Sequence, residues 1–138
     1  MIELPRSMYD GLIAHAEAGA PDEVCGVLGG EYGDDRSVVQ SYHRAANAAE
    51  TPRTEYAIDP EEQLELIDAI EDEGQAVTGF YHSHPAGPPG PSRTDAARAT
   101  WPGLSYVIVV LDGEQPYIGS WRWNDEHELF EQEIVRRV

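Results

Sequence analysis

The run Ala76-Val77-Thr78-Gly79-Phe80-Tyr81 ends in His82-Ser83-His84, and Asp95 follows eleven positions after the second histidine. A short apolar run bounded by turn residues reads as a buried strand. Alternate side chains on a strand share a face, so His82 and His84 project to the same side. Two imidazoles and one carboxylate make a three-ligand set, which leaves the fourth position of a zinc ion open to water. An open position separates a catalytic zinc from a structural one. The pattern predicts a zinc hydrolase.

Outward from this strand, the tract Pro85-Ala86-Gly87-Pro88-Pro89-Gly90-Pro91 is neither helix nor ladder, because proline lacks the backbone donor. Ser92 restarts a helix that runs to about residue 100. Residues 105–111 read as a strand covered on both faces. Asp112-Gly113 turns it into a strand over 116–123, and Asn124-Asp125 leads to a last strand. Over 126–138 strand and helix patterns compete, and the sequence leaves both open.

Before the histidines, Asp59-Pro60-Glu61-Glu62 begins a helix with Asp at the cap and Pro in the first turn. Leu64, Ile67 and Ile70 form its apolar face, and Gly74 stops it. Residues 45–58 show no period and read as a long surface loop. Residues 24–30 are a buried strand that Gly33-Asp34-Asp35 turns into a second strand over 37–43. Residues 7–18 read as a helix, with Ser7 and Asp10 as a capping pair and Gly19 as its end. Helices alternate with strands without a dinucleotide-type glycine fingerprint, so the expected class is a mixed α/β (α+β) sandwich.

At 138 residues and 41% apolar content, the chain predicts one folded domain over 1–138. No segment approaches the roughly 20 apolar residues of a membrane span. The N-terminal residues lack the charged start and apolar stretch of a signal peptide. The single cysteine, Cys25, excludes an internal disulfide and fits a reducing cytoplasm. Twenty-six acids against nine bases give a net charge of −17, and all nine bases are arginine. Such a surface repels phosphate backbones, which argues against nucleic acid as a partner. Dispersed carboxylates without lysine resemble proteins of a salt-loving cytoplasm. There, molar salt shortens the Debye length to about 3 Å and removes the self-repulsion.

Each site residue also has an ordinary reading. Ser92-Arg93-Thr94-Asp95 is a capping-box-like helix start, and a carboxylate bound to a metal is less free to cap. A hydrolytic site also needs a base, and spacing alone does not choose among the many acids. Glu23 stands out because it follows Pro21-Asp22 and enters the first strand, within reach of the histidine-bearing neighbour. Cys25, two residues on, faces the same side. It reads as a buried structural thiol, because no local basic residue favours a thiolate. His15, His43 and His127 have no partner pattern, and Trp101, Trp121 and Trp123 read as core or rim packing.

The set Glu23, His82-Ser83-His84-Pro85, Pro91-Ser92 and Asp95 resembles the signature of the JAMM (MPN+) metalloproteases. In that family a distant glutamate precedes His-x-His, ten residues, then Asp. The segment from Pro21 to Gly30 resembles the family's glutamate-bearing block. Asn47, Pro52, Tyr56 and Asp59-Pro60 resemble the loop before its second helix. The likeness spans roughly residues 3–111, with every functional position of the motif present. It implies a cytidine-deaminase-like mixed sheet sandwiched by helices. It also implies one Zn2+ per chain on His82, His84 and Asp95, Glu23 to activate water, and Ser92 to donate to the oxyanion.

The resemblance further implies a zinc-dependent isopeptidase acting after the C-terminal Gly-Gly of ubiquitin-like modifier proteins. Nearly minimal length and acidic composition make the chain most similar to stand-alone haloarchaeal enzymes that remove such modifiers. Two alternatives remain open. One is C-terminal processing of a sulfur-carrier protein, and the other is a non-catalytic MPN scaffold. A zinc nucleoside deaminase needs a Pro-Cys-x-x-Cys pair, which one cysteine cannot supply.

Overall fold

The computed structural model describes all 138 residues. Eight strands form one sheet: β1 (Ile2–Leu4), β2 (Cys25–Glu31), β3 (Ser37–Ala45), β4 (Ala76–His84), β5 (Ser105–Val110), β6 (Tyr117–Asn124), β7 (Leu129–Glu133) and β8 (Val135–Arg137). Their spatial order is β7-β6-β5-β4-β2-β3-β1-β8. Three helices complete the chain: α1 (Arg6–Gly19), α2 (Pro60–Asp72) and α3 (Arg93–Arg98). The sheet is mixed. β4 runs parallel to β5 and antiparallel to β2, while β1 pairs in parallel with both β3 and β8.

Period-two alternation along β4 divides the molecule. Tyr81 packs with Leu28, Val107 and Val109 beneath Leu12 and Ala16 of α1. Phe80 faces the opposite way, against Val27, Tyr106 and Ile70 of α2, with Ala96 and Ala99 from the α3 region. Helices thus cover both faces of the mixed sheet, as the sequence predicts. Each large core side chain fully withdrawn from water contributes about 1.5–3 kcal/mol. Gly26 lies opposite Tyr81 across the ladder. A Cβ there would sit 2.3 Å from the Tyr81 ring, so the missing side chain makes room for that ring.

Asp59 caps α2 as expected, its carboxylate accepting from Glu61 and Glu62 backbone amides, with Pro60 in the first turn. Other details differ from the sequence reading. Ser7 and Asp10 form no cap, because α1 starts one residue earlier on the Pro5 carbonyl, which accepts from Met8 and Tyr9. Leu64 is 60% exposed, whereas Leu66, Ile67 and Ile70 turn inward. The helix is therefore rotated relative to the predicted face. Strand wins over helix in the C-terminal segment, where β7 pairs with β6 and β8 with β1. β1 itself was too short to show a period in the sequence. No helix is long and apolar enough to cross a membrane.

Candidate metal centre

β4 runs through to His84 and so delivers both histidines in strand geometry. Their side chains share the α2 side of the sheet with Phe80. The Pro85–Pro91 tract then turns the chain back, and Ser92 starts α3 with a complete capping box. Ser92 Oγ accepts from the Asp95 amide at 3.0 Å, and the Asp95 carboxylate accepts from the Ser92 amide at 2.9 Å. The box fixes Asp95 over the strand end. The Oδ2 atom that accepts from the Ser92 amide also lies against both imidazoles.

Three atoms converge there. His82 Nε2 and His84 Nε2 lie 3.1 Å apart, and Asp95 Oδ2 is 3.2 Å and 3.1 Å from them. The centre of such a triangle lies about 1.8 Å from each corner (3.1 Å divided by √3), so the three atoms are close enough together to share an ion with bonds of about 2.0–2.1 Å. The donor chemistry agrees. His84 Nδ1 lies 2.8 Å from the Pro88 carbonyl. A carbonyl only accepts, so Nδ1 carries a proton, and in the neutral ring Nε2 would then present a lone pair toward His82 Nε2 and Asp95 Oδ2. A positive centre, a proton or a metal ion, would satisfy such a cluster. Burial opposes the charge on His84, but the hydrogen bond to Asp95, the Pro88 carbonyl and the charges of Asp95 and Glu23 outweigh it, raising its pKa. Burial dominates at His82 and lowers its pKa. Burial would raise the Asp95 pKa too, yet its bonds with His82 and His84 pull it well below the carboxylate range.

Glu23 reaches the group from the entry of β2. The ladder pairs Cys25 with His82, and Ser83 donates its amide to the Val24 carbonyl at 3.0 Å. This register sets Glu23 opposite His84, on the same face. Glu23 is 4% exposed, and its carboxylate and the two imidazoles offer ligand atoms within 4.8 Å of one another. It lies outside direct hydrogen-bond contact with the histidines, and its Oε1 is buried without a partner. Asp95 therefore closes the tight triangle, and Glu23 stands outside it. Burial raises the Glu23 pKa to about 7, with His84 opposing and Asp95 and Glu55 reinforcing.

Cys25 lies beside this group, but burial pushes its thiol up to about 12, which fits the structural reading. Sequence reasoning assigned no role to three neighbours. The Tyr56 ring stacks on His82, with centroids 4.3 Å apart. The Asn47 amide ties the loop over residues 46–58 to Glu23, and the Pro88 carbonyl orients His84. An aromatic residue just before the Asp59-Pro60 cap and a proline tract just after His84 were the available signals. Beside Asp95 a cleft of about 190 Å³ opens, lined in part by Tyr56, Ile58, Phe80, Arg98 and Trp101.

A mixed sheet between helices gathers an imidazole pair and two carboxylates at the end of its central strand, a group that could hold a metal ion. Residues 5–124 match the prokaryotic homologs of the JAB domain, and the chain belongs to that family. It is 41% identical over 132 residues to a desampylase of Haloferax volcanii, covering 93% of each chain. It is also 41% identical to a CysO-cysteine peptidase of Mycobacterium tuberculosis, covering 93% of this chain and 79% of that one. The solution structure of a protein from Desulfitobacterium hafniense superposes with a TM-score of 0.86 at 31% identity, covering all of this chain and 94% of that chain. The chain is an enzyme of the JAMM peptidase type.

Proposed function

We propose that this chain, working as one domain over residues 1–138, is a zinc-dependent isopeptidase that removes ubiquitin-like modifier proteins. It cuts after their C-terminal Gly-Gly. The observation that carries this reading is the convergence of His82 Nε2, His84 Nε2 and Asp95 Oδ2 beside a buried, unpartnered Glu23 Oε1. His82, His84 and Asp95 would hold the metal. When bound, zinc supplies a Lewis acid that polarises the scissile carbonyl and lowers the pKa of water to about 7.

Glu23 takes the proton from the attacking water and delivers it to the leaving amine. Its pKa of about 7 suits both transfers near neutral pH. Ser92 Oγ uses a lone pair on the Asp95 amide, which leaves its hydroxyl hydrogen free to donate to the developing oxyanion. The likeness to the Haloferax volcanii desampylase supports the substrate class. That source, with a net charge of −17 and no lysine, also supports an archaeal, salt-loving cytoplasm as the setting. Neither nucleic acid nor a membrane is a partner in this reading.

Purified protein should carry one zinc per chain. In molar salt it should cleave a modifier–lysine conjugate and lose that cleavage with a chelator. A metal-free chain, or cleavage indifferent to the chelator, overturns the reading. The Mycobacterium tuberculosis relative supports a second reading within the same chemistry, C-terminal processing of a sulfur-carrier protein. Cleavage of a linear fusion but not of a lysine-linked conjugate selects it.

A further inference from the structure

Two groups at the metal centre lack the hydrogen bonds that hold the others. His84 is oriented by the Pro88 carbonyl, but His82 Nδ1 is buried without any partner. The direction of the His82 ring therefore rests on packing, chiefly the Tyr56 ring stacked 4.3 Å away at 23°. Glu23 has the same deficiency at Oε1, so its carboxylate is aimed mainly by its backbone. One residue serves both. Asn47 Nδ2 donates to the Glu23 carbonyl at 2.9 Å and to the Glu55 carbonyl at 3.0 Å. Its Oδ1 accepts from the amides of Ala49 at 3.0 Å and Ala57 at 3.2 Å.

Those partners leave no ambiguity in the amide's orientation. Two carbonyls can only face the NH2 group, and two backbone amides can only face the oxygen. All four hydrogen-bonding positions of the side chain are filled. Glu55 and Ala57 flank Tyr56, so the same amide that anchors the Glu23 backbone also brackets the residue packed on His82. The Glu23 amide in turn donates to the Pro52 carbonyl at 2.7 Å, so the loop grips Glu23 from both ends. Asn47 touches none of the three metal ligands.

We propose that Asn47 is a positioning residue, which sets Glu23 through its backbone and His82 through Tyr56. This role rests on the proposed hydrolytic function. Partners of this kind around metal ligands typically govern metal affinity by about 10–100-fold, and a misplacement near 1 Å costs about 100-fold in rate.

The test combines steady-state cleavage of a modifier–lysine conjugate with zinc affinity measured by competition with a chromophoric chelator. Asn47→Ala should lower kcat by about 10–100-fold with KM within about threefold, and weaken zinc binding by about tenfold. Asn47→Ser, which stays neutral and keeps one donor and one acceptor, is the second variant if the alanine variant does not fold, and it should lose kcat more than zinc affinity. In a Glu23→Gln background, Asn47→Ala should cost little further kcat yet still weaken zinc. In a Tyr56→Ala background, the zinc effect should disappear. Equal losses in every background, or Asn47 variants with wild-type kcat and zinc affinity, overturn the positioning role. A wild-type chain that neither binds zinc nor cleaves the conjugate overturns the proposed function instead.

Discussion

Tyr81 and Ser83 leave β4 toward α1, whereas Phe80, His82 and His84 leave it toward α2 and α3. On the α1 side the polar groups are paired. Ser83 Oγ accepts from the Val24 amide at 2.8 Å, and the Tyr81 hydroxyl meets His15 Nδ1 at 3.0 Å. On the other side Glu23 Oε1 and His82 Nδ1 are buried without partners, and Thr78 Oγ1, further back on the same strand, is the one other such atom. Each unpaired group costs about 1–3 kcal/mol. One strand therefore carries a face that holds the molecule together and a face whose unsatisfied chemistry is kept for use. The division implies that changes on the second side remove activity and leave stability, and the reverse on the first.

The hardest test falls on Glu23. Glu23→Gln keeps the shape and removes the base, so turnover should fall by about 10²–10⁴. Its thermal midpoint should not drop, because a buried carboxylate without a partner is replaced by a neutral amide. A Glu23→Gln protein that cleaves at the wild-type rate, or one that unfolds, breaks the comparison.

Ser92 sits where the two kinds of work meet. Ser92→Ala should lose about 10²–10³ in kcat as an oxyanion donor, and a further 0.5–2 kcal/mol or so of stability as the cap of α3. Ser92→Thr keeps a hydroxyl and should restore most of both. Loss of stability alone in the alanine variant would confine Ser92 to capping.

On the α1 side, Glu133 provides a pH signature. Burial pushes its pKa up, but hydrogen bonds from Ser105, Ser120, the N-terminal ammonium and Arg122 outweigh it and hold the carboxyl below its ordinary value of 4.5. The folded state thus favours the ionised form. Its contribution is complete above pH 4.5 or so and is lost as pH falls from there through the lowered folded value. Acid titration of stability should show this loss in the wild type and a flatter acid limb in Glu133→Gln. The variant should be about 1–3 kcal/mol less stable at pH 7, with unchanged cleavage. Equal acid limbs would remove Glu133 from the stabilising side.

The centre of the site was legible because its parts are local. His82 and His84 share a face through the period of two, and Asp95 lies in a capping box that marks its own helix start. Glu23 was harder, since its place opposite His84 depends on an antiparallel register that spacing does not reveal. Asn47 and Tyr56 act across the loop over residues 46–58, which has no period to read. The same physics explains the errors in the fold. Leu64 fits the helical spacing but lies on the wrong side of α2 once Leu66 packs inward. β1 and β8 have three residues each, too few to show a period, and β1 is a strand because it pairs with both β3 and β8.

Tyr81 gives the finest test, since it lies one residue from His82 in sequence and on the opposite face in space. Tyr81→Phe keeps the ring that packs against Leu28 and Val107 and fits over Gly26. It removes only the hydroxyl that pairs with His15. The loss of one part-buried hydrogen bond should lower stability by about 0.5–1.5 kcal/mol. Zinc affinity and kcat should stay at wild-type values, because the ring's shape, and with it the β4 backbone under His82, is unchanged. A matched loss of metal affinity would mean that the two faces of β4 are mechanically coupled. The parity of the strand would then separate the side chains but not their effects.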